Sequence, residues 1–240
     1  MTHTYPLQTR GLIWQSSAFV YNQTYHNIRE SDILYAQLTS GVKYMTSWGH
    51  EISLIPLAEQ LYFGGDPLME GVGINLKYGV PLGQTALFEY SAGVKRQLYN
   101  ESHKGMNVDV FDTATTLKTR IASSGVASLT LAGAQHDPSS QGRTDASITS
   151  RSAKVDVMMP VVGTTVSSGM MFKTMHYNDQ DMIYGESRDD FSKSWTLSVS
   201  RPVLRDMTVS GSFYRLINDS NFPSNAYQKS TYSMMLSKPF

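Results

Sequence analysis

Residues 195–213 read WTLSVSRPVLRDMTVSGSF, and apolar and polar side chains alternate here on both sides of a short break. Trp195 and Leu197 fall on one side of an extended chain, and the small polar residues between them fall on the other. Beyond the break, Val209 and Phe213 repeat the arrangement. A period of two indicates β-strands, because a helix would mix the two sets of side chains. The stretch therefore predicts two strands joined by a tight turn.

The same alternation recurs along the whole chain. It predicts twelve strands, near residues 12–21, 33–46, 51–62, 71–80, 86–99, 107–120, 125–134, 147–159, 165–177, 192–203, 207–217 and 228–240. Short turns are predicted at Ser47–His50, Pro81–Gln84, Ile121–Ser124, Pro160–Thr164 and Leu204–Asp206. Longer polar loops are predicted at Asn22–Asp32, Gln135–Ala146, Asn178–Phe191 and Asn218–Tyr227. An even number of strands, joined alternately by short turns and long loops, is typical of outer-membrane barrels.

Composition favours a membrane barrel over a soluble one. Charged residues make up only 17% of the chain, and 20 basic residues balance 20 acidic ones, so nothing indicates a nucleic-acid partner. No apolar run is long enough for a membrane-spanning helix, which leaves a barrel as the membrane fold. A soluble β-sandwich or lipocalin-like barrel is the alternative, since soluble sheets also have one apolar face.

The predicted fold is therefore all-β, a transmembrane antiparallel up-and-down β-barrel of about 12 strands, with 14 possible, formed by residues 1–240 as one domain. Both termini are expected on the short-turn side, in the periplasm of a Gram-negative bacterium. Charged residues recur on the face opposite the apolar side chains, where a barrel lumen would keep them in water. The candidate lumen-lining residues are Lys77, Glu89, Lys95, Lys154, Asp156, Lys173 and Arg215. Opposite charges on neighbouring strands would brace the interior or line a passage.

Few residues are candidates for catalysis or metal binding. There is no cysteine, and the six histidines lack the spacing of metal ligands, so no metal or cofactor is expected. His176, near Asp179 and Asp181, could belong to a hydrolase site at the barrel rim, but a hydrated acidic loop explains it as well. The same applies to a cation site among the acids of this region, which are Asp179, Asp181, Glu186, Asp189 and Asp190. We expect no enzymatic activity.

The C-terminal strand places Tyr232, Met234, Leu236, Lys238 and Phe240 on one face and ends the chain on an aromatic residue. This pattern resembles the terminal signal by which outer-membrane barrels are recognised for insertion. Lys238 departs from the apolar residue usual at its position, although its long stem could reach the lipid headgroups. The barrel assembly machinery is therefore an expected partner, together with the outer-membrane lipids.

The terminal hairpin resembles the end of the barrel domain in the surface lipoprotein assembly modifier family. The resemblance rests on Ser212–Arg215, on the loop Asn218–Pro223 and on Tyr227–Lys229 before the last strand. Upstream, Tyr62–Gly65 closing a strand and the acidic, Arg-containing loop Tyr184–Asp190 also fit. The resemblance covers about the last fifty residues; elsewhere only the spacing of the predicted strands agrees.

The resemblance implies a translocator that helps lipoproteins or similar proteins reach the cell surface. It also implies a periplasmic tetratricopeptide-repeat domain or partner, although no 34-residue helical repeat is visible in this sequence. More distantly related exporters of polysaccharide, with a repeat module and a barrel, leave the class of cargo open. The alternatives are a passive pore for small solutes and, less favoured, a hydrolase at the rim.

Overall fold

The computed structural model describes residues 2–7, 11–24, 32–122, 124–138, 147–181, 184–204 and 207–237. Within this part the chain forms thirteen strands and two short 3₁₀ helices. The strands are β1 (Thr2–Pro6), β2 (Leu12–Gln23), β3 (Ile33–Met45), β4 (Glu51–Phe63), β5 (Asp66–Leu82), β6 (Ala86–Tyr99), β7 (Val108–Ile121), β8 (Gly125–Pro138), β9 (Ile148–Val161), β10 (Thr164–Gln180), β11 (Ser187–Leu204), β12 (Met207–Ser220) and β13 (Tyr227–Ser237). The 3₁₀ helices span Glu101–Met106 and Pro223–Asn225. Among the described residues, no helix has the length and hydropathy needed to cross a bilayer.

All thirteen strands belong to one sheet in which each strand pairs with its neighbours in sequence. Every pair whose register is given, such as Trp14 opposite Val42, is antiparallel. Strands β2 to β13 coincide with the twelve predicted strands, so the predicted up-and-down order is confirmed. The additional strand β1 pairs with the first half of β2, with Thr2 opposite Ser17. Its five residues carry no clear alternation, which explains why the sequence pattern missed it.

Several strands are longer than predicted. Strand β5 has 17 residues where about ten were expected, and β11 has 18. Most of the extra residues of β5 follow the β4–β5 turn, and most of those of β11 follow the long loop before it. In both places the hydrogen-bonded ladder continues but polar side chains interrupt the apolar alternation. A strand needs only about 9–11 residues to cross a membrane. The pattern of alternation therefore marks an apolar segment within each strand rather than the whole strand.

The turns show why these residues reverse the chain. Val162 and Gly163 connect β9 to β10 with φ angles of 42° and 70°, the left-handed pair that a two-residue hairpin turn requires. The predicted turn within Pro160–Thr164 is thus confirmed, and it is shorter than predicted because only two residues separate the strands. At the opposite edge, Gly64 and Gly65 connect β4 to β5 with φ angles of 61° and 90°. The expectation that this edge carries only long loops is therefore wrong at the β4–β5 turn, where glycines allow a two-residue reversal.

The described chain divides into two compact units. Unit 1 comprises residues 1–81, 89–114 and 134–148, and unit 2 comprises residues 82–88, 115–133 and 149–240.

The two faces of the strands differ in burial, in the opposite sense to a soluble protein. In unit 1, Val72 is 62% exposed, whereas Ser53 and Glu59 are buried on the other face. In unit 2, Phe191 and Trp195 are exposed, while the serines between and beside them on the other face are buried. We call the face with exposed hydrophobic side chains the apolar face, and the other the polar face. A soluble β-sandwich would bury its apolar face, so the structure contradicts that alternative.

Candidate functional site on the polar face

The centre of the polar face in unit 1 is the carboxylate of Glu59, whose side chain is 2% exposed. Tyr35 donates its hydroxyl to Oε2 of Glu59 at 2.8 Å, and Gln97 donates Nε2 to Oε1 at 2.7 Å. The ammonium of Lys95 lies 2.9 Å from the same Oε1. Gln37 donates to the Tyr35 hydroxyl at 3.0 Å and so extends the network. A buried carboxylate is tolerated when it is paired and hydrogen-bonded in this way.

The register of the strands explains how Glu59 is accommodated. Gln37 on β3 and Gly71 on β5 both lie directly opposite Glu59 on β4. A Cβ atom at position 71 would lie 2.7 Å from Cγ and Oε1 of Glu59. Any larger residue at position 71 would therefore displace the Glu59 side chain from its present place. The Glu59 carboxylate is thus held between Gln37 of β3 and Gly71 of β5.

Further charges on the polar face of unit 1 are also held close to partners. Lys43 forms an ion pair with Glu51, and the Ser53 hydroxyl donates to Glu51 at 3.3 Å. Lys77 lies opposite the buried Ser53. The polar face of this unit therefore carries charges of both signs at several levels along the strands.

The polar face of unit 2 has the same character. Lys154 forms an ion pair with Asp156 at 3.0 Å, and Lys173 lies opposite the buried Ser192. The Ser192 hydroxyl in turn donates to the side chain of Asn218. This unit also combines small hydroxyl side chains with compensated charges.

Towards the long loops of unit 2, the polar face is covered by the loop after β12. Phe222 is 2% exposed and stacks on Tyr184, with ring centroids 4.3 Å apart. Asn218 donates to the carbonyl oxygen of Asn225 at 2.8 Å and ties the loop to the strand. Arg188 pairs with the buried carboxylate of Asp190 close by. The loop residues on which the family resemblance rests thus have a structural role here.

The predicted lumen-lining residues fall into two groups. Six of them occupy the polar side of their strands' alternation, namely Lys77, Glu89, Lys95, Lys154, Asp156 and Lys173. Arg215 does not, and its assignment to the lumen is wrong. It lies directly opposite Trp195 on the apolar face, and it donates to Gln228 at 3.3 Å. Because Phe213 is on the apolar face and β12 has no bulge there, a residue two positions later must share that face.

Glu59 is the central residue of this site and was not among the sequence candidates. Its neighbours on the same face are Leu57 and Leu61, so β4 does not alternate between polar and apolar residues. Without alternation, the sequence cannot indicate which face Glu59 occupies. The one available signal was an acid within an apolar strand, followed twelve residues later by a glycine.

The apolar face carries charged residues mainly towards the long loops. In unit 1, Val72 to Val80 form an apolar segment of β5, and Glu70 lies beyond it. Arg96 and Asp109 form a two-bond ion pair on the same face at 2.7 and 2.9 Å. In unit 2, Lys193 and Asp219 pair at 3.2 Å. Such a boundary between apolar and charged side chains is expected where a strand passes from hydrocarbon into headgroups.

The acidic neighbour of His176 is not one of the two that were predicted. His176 Nδ1 lies 2.7 Å from Oδ1 of Asp189, not beside Asp179 or Asp181. Asp181 accepts a hydrogen bond from the backbone N–H of Tyr184 and so stabilises a turn. Of the other acids, Asp190 is committed to Arg188 on the polar face. In the part of the chain that the structure describes, these acids do not converge into a group that could hold a metal ion.

The predicted insertion signal is partly within the described residues. Tyr232, Met234 and Leu236 lie on one face of β13 and are 78%, 84% and 59% exposed. Tyr232 packs against Phe213 of β12, with ring centroids 4.9 Å apart. Lys238 and Phe240 lie outside the described residues. The role of this strand as a signal stays a prediction.

A comparison with solved structures bears on the fold. No protein-family model matches the chain, and no curated protein matches it in sequence. Among solved structures, a BenF-like porin from Pseudomonas fluorescens Pf-5 is similar, with a TM-score of 0.54 and 11% identity over 97% of this chain. The fold is that of an outer-membrane β-barrel. The match covers 65% of the porin's own length, so the chain spans about two thirds of that protein. The β domain of the Bordetella autotransporter BrkA matches 94% of this chain and 96% of its own, with a TM-score of 0.40 and 12% identity.

Proposed function

We propose that this chain spans the outer membrane of a Gram-negative bacterium as the barrel of a transport protein, and that a hydrophilic substrate moves along its polar face. The observation that carries the proposal is the inverted burial within each unit: in unit 1 Val72 is exposed and Glu59 is buried on the other face, and in unit 2 Trp195 is exposed and Asn218 is buried on the other face. Hydrocarbon is the environment that would stabilise such an apolar face. The charged network around Glu59 would then lie in an aqueous interior.

The favoured substrate is an exported protein, delivered from the periplasm by a repeat domain or partner. The support is the resemblance of the last fifty residues to the lipoprotein assembly modifier family. In this arrangement the termini lie on the periplasmic side, the barrel assembly machinery inserts the chain, and no bond is made or broken. The second candidate is a passive pore for small solutes. It is supported by a porin-like fold along nearly the whole chain and by ion pairs on the polar face of both units.

Two experiments test these proposals in turn. The first compares gel migration of the refolded chain before and after boiling in SDS, because a membrane barrel resists SDS until it is heated. We expect a mobility shift; the absence of a shift, combined with solubility in plain buffer, would contradict membrane insertion.

The second experiment separates the two kinds of substrate. Deletion of the gene in its own host, followed by protease treatment of intact cells, should remove one or more lipoproteins from the surface while they accumulate inside. An unchanged surface, together with steady conductance of the purified barrel in planar bilayers, would replace the translocator with the pore. In that case Lys77→Glu should shift the ion selectivity towards cations, and Leu76→Gln on the other face should not.

A further inference from the structure

Unit 1 has a groove of about 520 Å³ on its apolar face. Its lining combines two cross-strand rows of side chains on that face with Arg96 and Leu98 of β6; one row is Ala18, Leu38, Ala58 and Val72, and the other is Val20, Ala36, Gln60 and Glu70. The row between them, Phe19, Gln37, Glu59 and Gly71, also lines the groove, although these positions face the other side of the sheet. The groove crosses β2 to β6 at a level where Ala18, Ala36 and Ala58 replace the larger side chains found elsewhere on this face. Its volume is in the range of sites for small-molecule ligands.

Two parts of the groove lining differ in chemistry. Exposed side chains of Val20, Leu38, Val72 and Leu98 form apolar walls. On β4, β5 and β6 the groove is also lined by the polar side chains of Gln60, Glu70 and Arg96, whereas on β2 and β3 the lining residues of that face are all apolar. An apolar channel with polar groups on one part of its lining matches an acyl chain attached to a polar headgroup.

Arg96 remains able to bind an anion although it is paired. Its Nε and Nη2 atoms donate to the two carboxylate oxygens of Asp109, which uses two of the five N–H groups of the guanidinium. The remaining three N–H groups are fixed in orientation by that pair, and the side chain is 59% exposed. A planar guanidinium held in this way is suited to a phosphate.

Glu70 and Gln60 complement a different part of a headgroup. The Glu70 carboxylate is exposed beside Arg96 in the groove lining, and Gln60 contributes a further carbonyl oxygen. These oxygens accept hydrogen bonds from hydroxyl and amide N–H groups, which an acylated sugar provides in number. We propose that this groove binds one acyl chain of a phosphorylated glycolipid, with its phosphate on Arg96 and its sugar on Glu70 and Gln60.

The proposal rests on the placement of the apolar face in lipid but does not depend on what the barrel transports. The test is native mass spectrometry of the folded chain in detergent after incubation with lipid A, and separately with phosphatidylethanolamine. We expect one retained molecule of lipid A. Ala58→Leu, which fills the floor of the groove, should abolish retention, and Arg96→Gln should weaken it about tenfold through loss of a charge-assisted hydrogen bond.

The matched control is Ala153→Leu, which adds the same side chain to the apolar face of unit 2. It should retain lipid A as the natural chain does, and the heat-dependent gel shift would show that each variant is folded. Equal retention by Ala58→Leu and Ala153→Leu would overturn the groove as the site. Preferential retention of phosphatidylethanolamine would overturn the glycolipid. Normal folding with no retained lipid would refute this inference and leave the transport proposal intact.

Discussion

The Glu59 cluster and the Arg96–Asp109 pair lie on opposite faces of neighbouring strands in unit 1, and both join acids to bases. Glu59 is 2% exposed and accepts from Tyr35 and Gln97 as well as pairing with Lys95. Asp109 is 30% exposed and is hydrogen-bonded by Arg96 alone among the partners that the described residues provide. The two ion pairs are thus alike in chemistry, but the one on the polar face is buried and the one on the apolar face is exposed.

This difference shows which charged groups contribute to the stability of the fold. A buried carboxylate with several donors cannot be removed without leaving those donors, and one ammonium, unsatisfied. An exposed ion pair is screened by water and headgroups and contributes little. At the Glu59 cluster the polar face of unit 1 therefore depends on its charges for stability, whereas the apolar face depends on the absence of charge from the middle of the strands.

The largest expected effect comes from Glu59→Ala. It leaves Lys95 without its counter-ion and Tyr35 and Gln97 without an acceptor, and it should lower the free energy of unfolding by about 3 kcal/mol. Urea unfolding in lipid vesicles, followed by tryptophan fluorescence, measures this change. Glu59→Gln keeps an acceptor oxygen and should lose less, about 1–2 kcal/mol.

A double variant completes this test. Glu59→Ala combined with Lys95→Met removes both charges and should recover part of the lost stability. If Glu59→Ala unfolds at the same urea concentration as the natural chain, the network does not brace the sheet, and its carboxylate would have to be assigned to the passage instead.

The second prediction concerns the apolar face. Leu76→Arg introduces a charge in the middle of the apolar segment of β5 and should lower the free energy of unfolding by about 2–4 kcal/mol. Glu70→Arg, on the same face and strand but beyond that segment, should change it by only about 0–1 kcal/mol. The comparison uses the same vesicles and the same urea titration. Equal losses at both positions would show that depth in a membrane does not govern this face.

The alternation of residues predicted the strands well because one physical cause, contact with lipid on one side, acts at every second position. The twelve predicted strands and their order followed from it, and it also placed six of the seven charged candidates on the polar face. The same cause explains the failures. Beyond Val72 the outward residues become polar, so the pattern stopped at the end of the apolar segment while β5 continued to Asp66.

The centre of the candidate site could not be predicted for a related reason. Strand β4 carries leucines on both sides of Glu59, so its register, and not its composition, decides that this acid is buried. Arg215 shows the opposite error, since this charge was assigned to the polar face although it lies two residues after Phe213, on the apolar face. Contacts such as the Phe222–Tyr184 stack depend on how a loop folds back, which no periodicity encodes.

The smallest expected effect is that of Asp109→Asn, which tests the contribution of the exposed Arg96–Asp109 pair. The change removes the negative partner of Arg96 but leaves a side-chain oxygen to accept one hydrogen bond, and both residues are partly exposed. We expect a loss of less than about 1 kcal/mol in the free energy of unfolding, decreasing further in high salt. Since the freed guanidinium would carry an uncompensated positive charge, retention of lipid A should strengthen even though stability falls. A loss as large as that of Glu59→Ala, unchanged by salt, would mean that this pair is enclosed like the Glu59 cluster and that the apolar face is covered by something other than lipid.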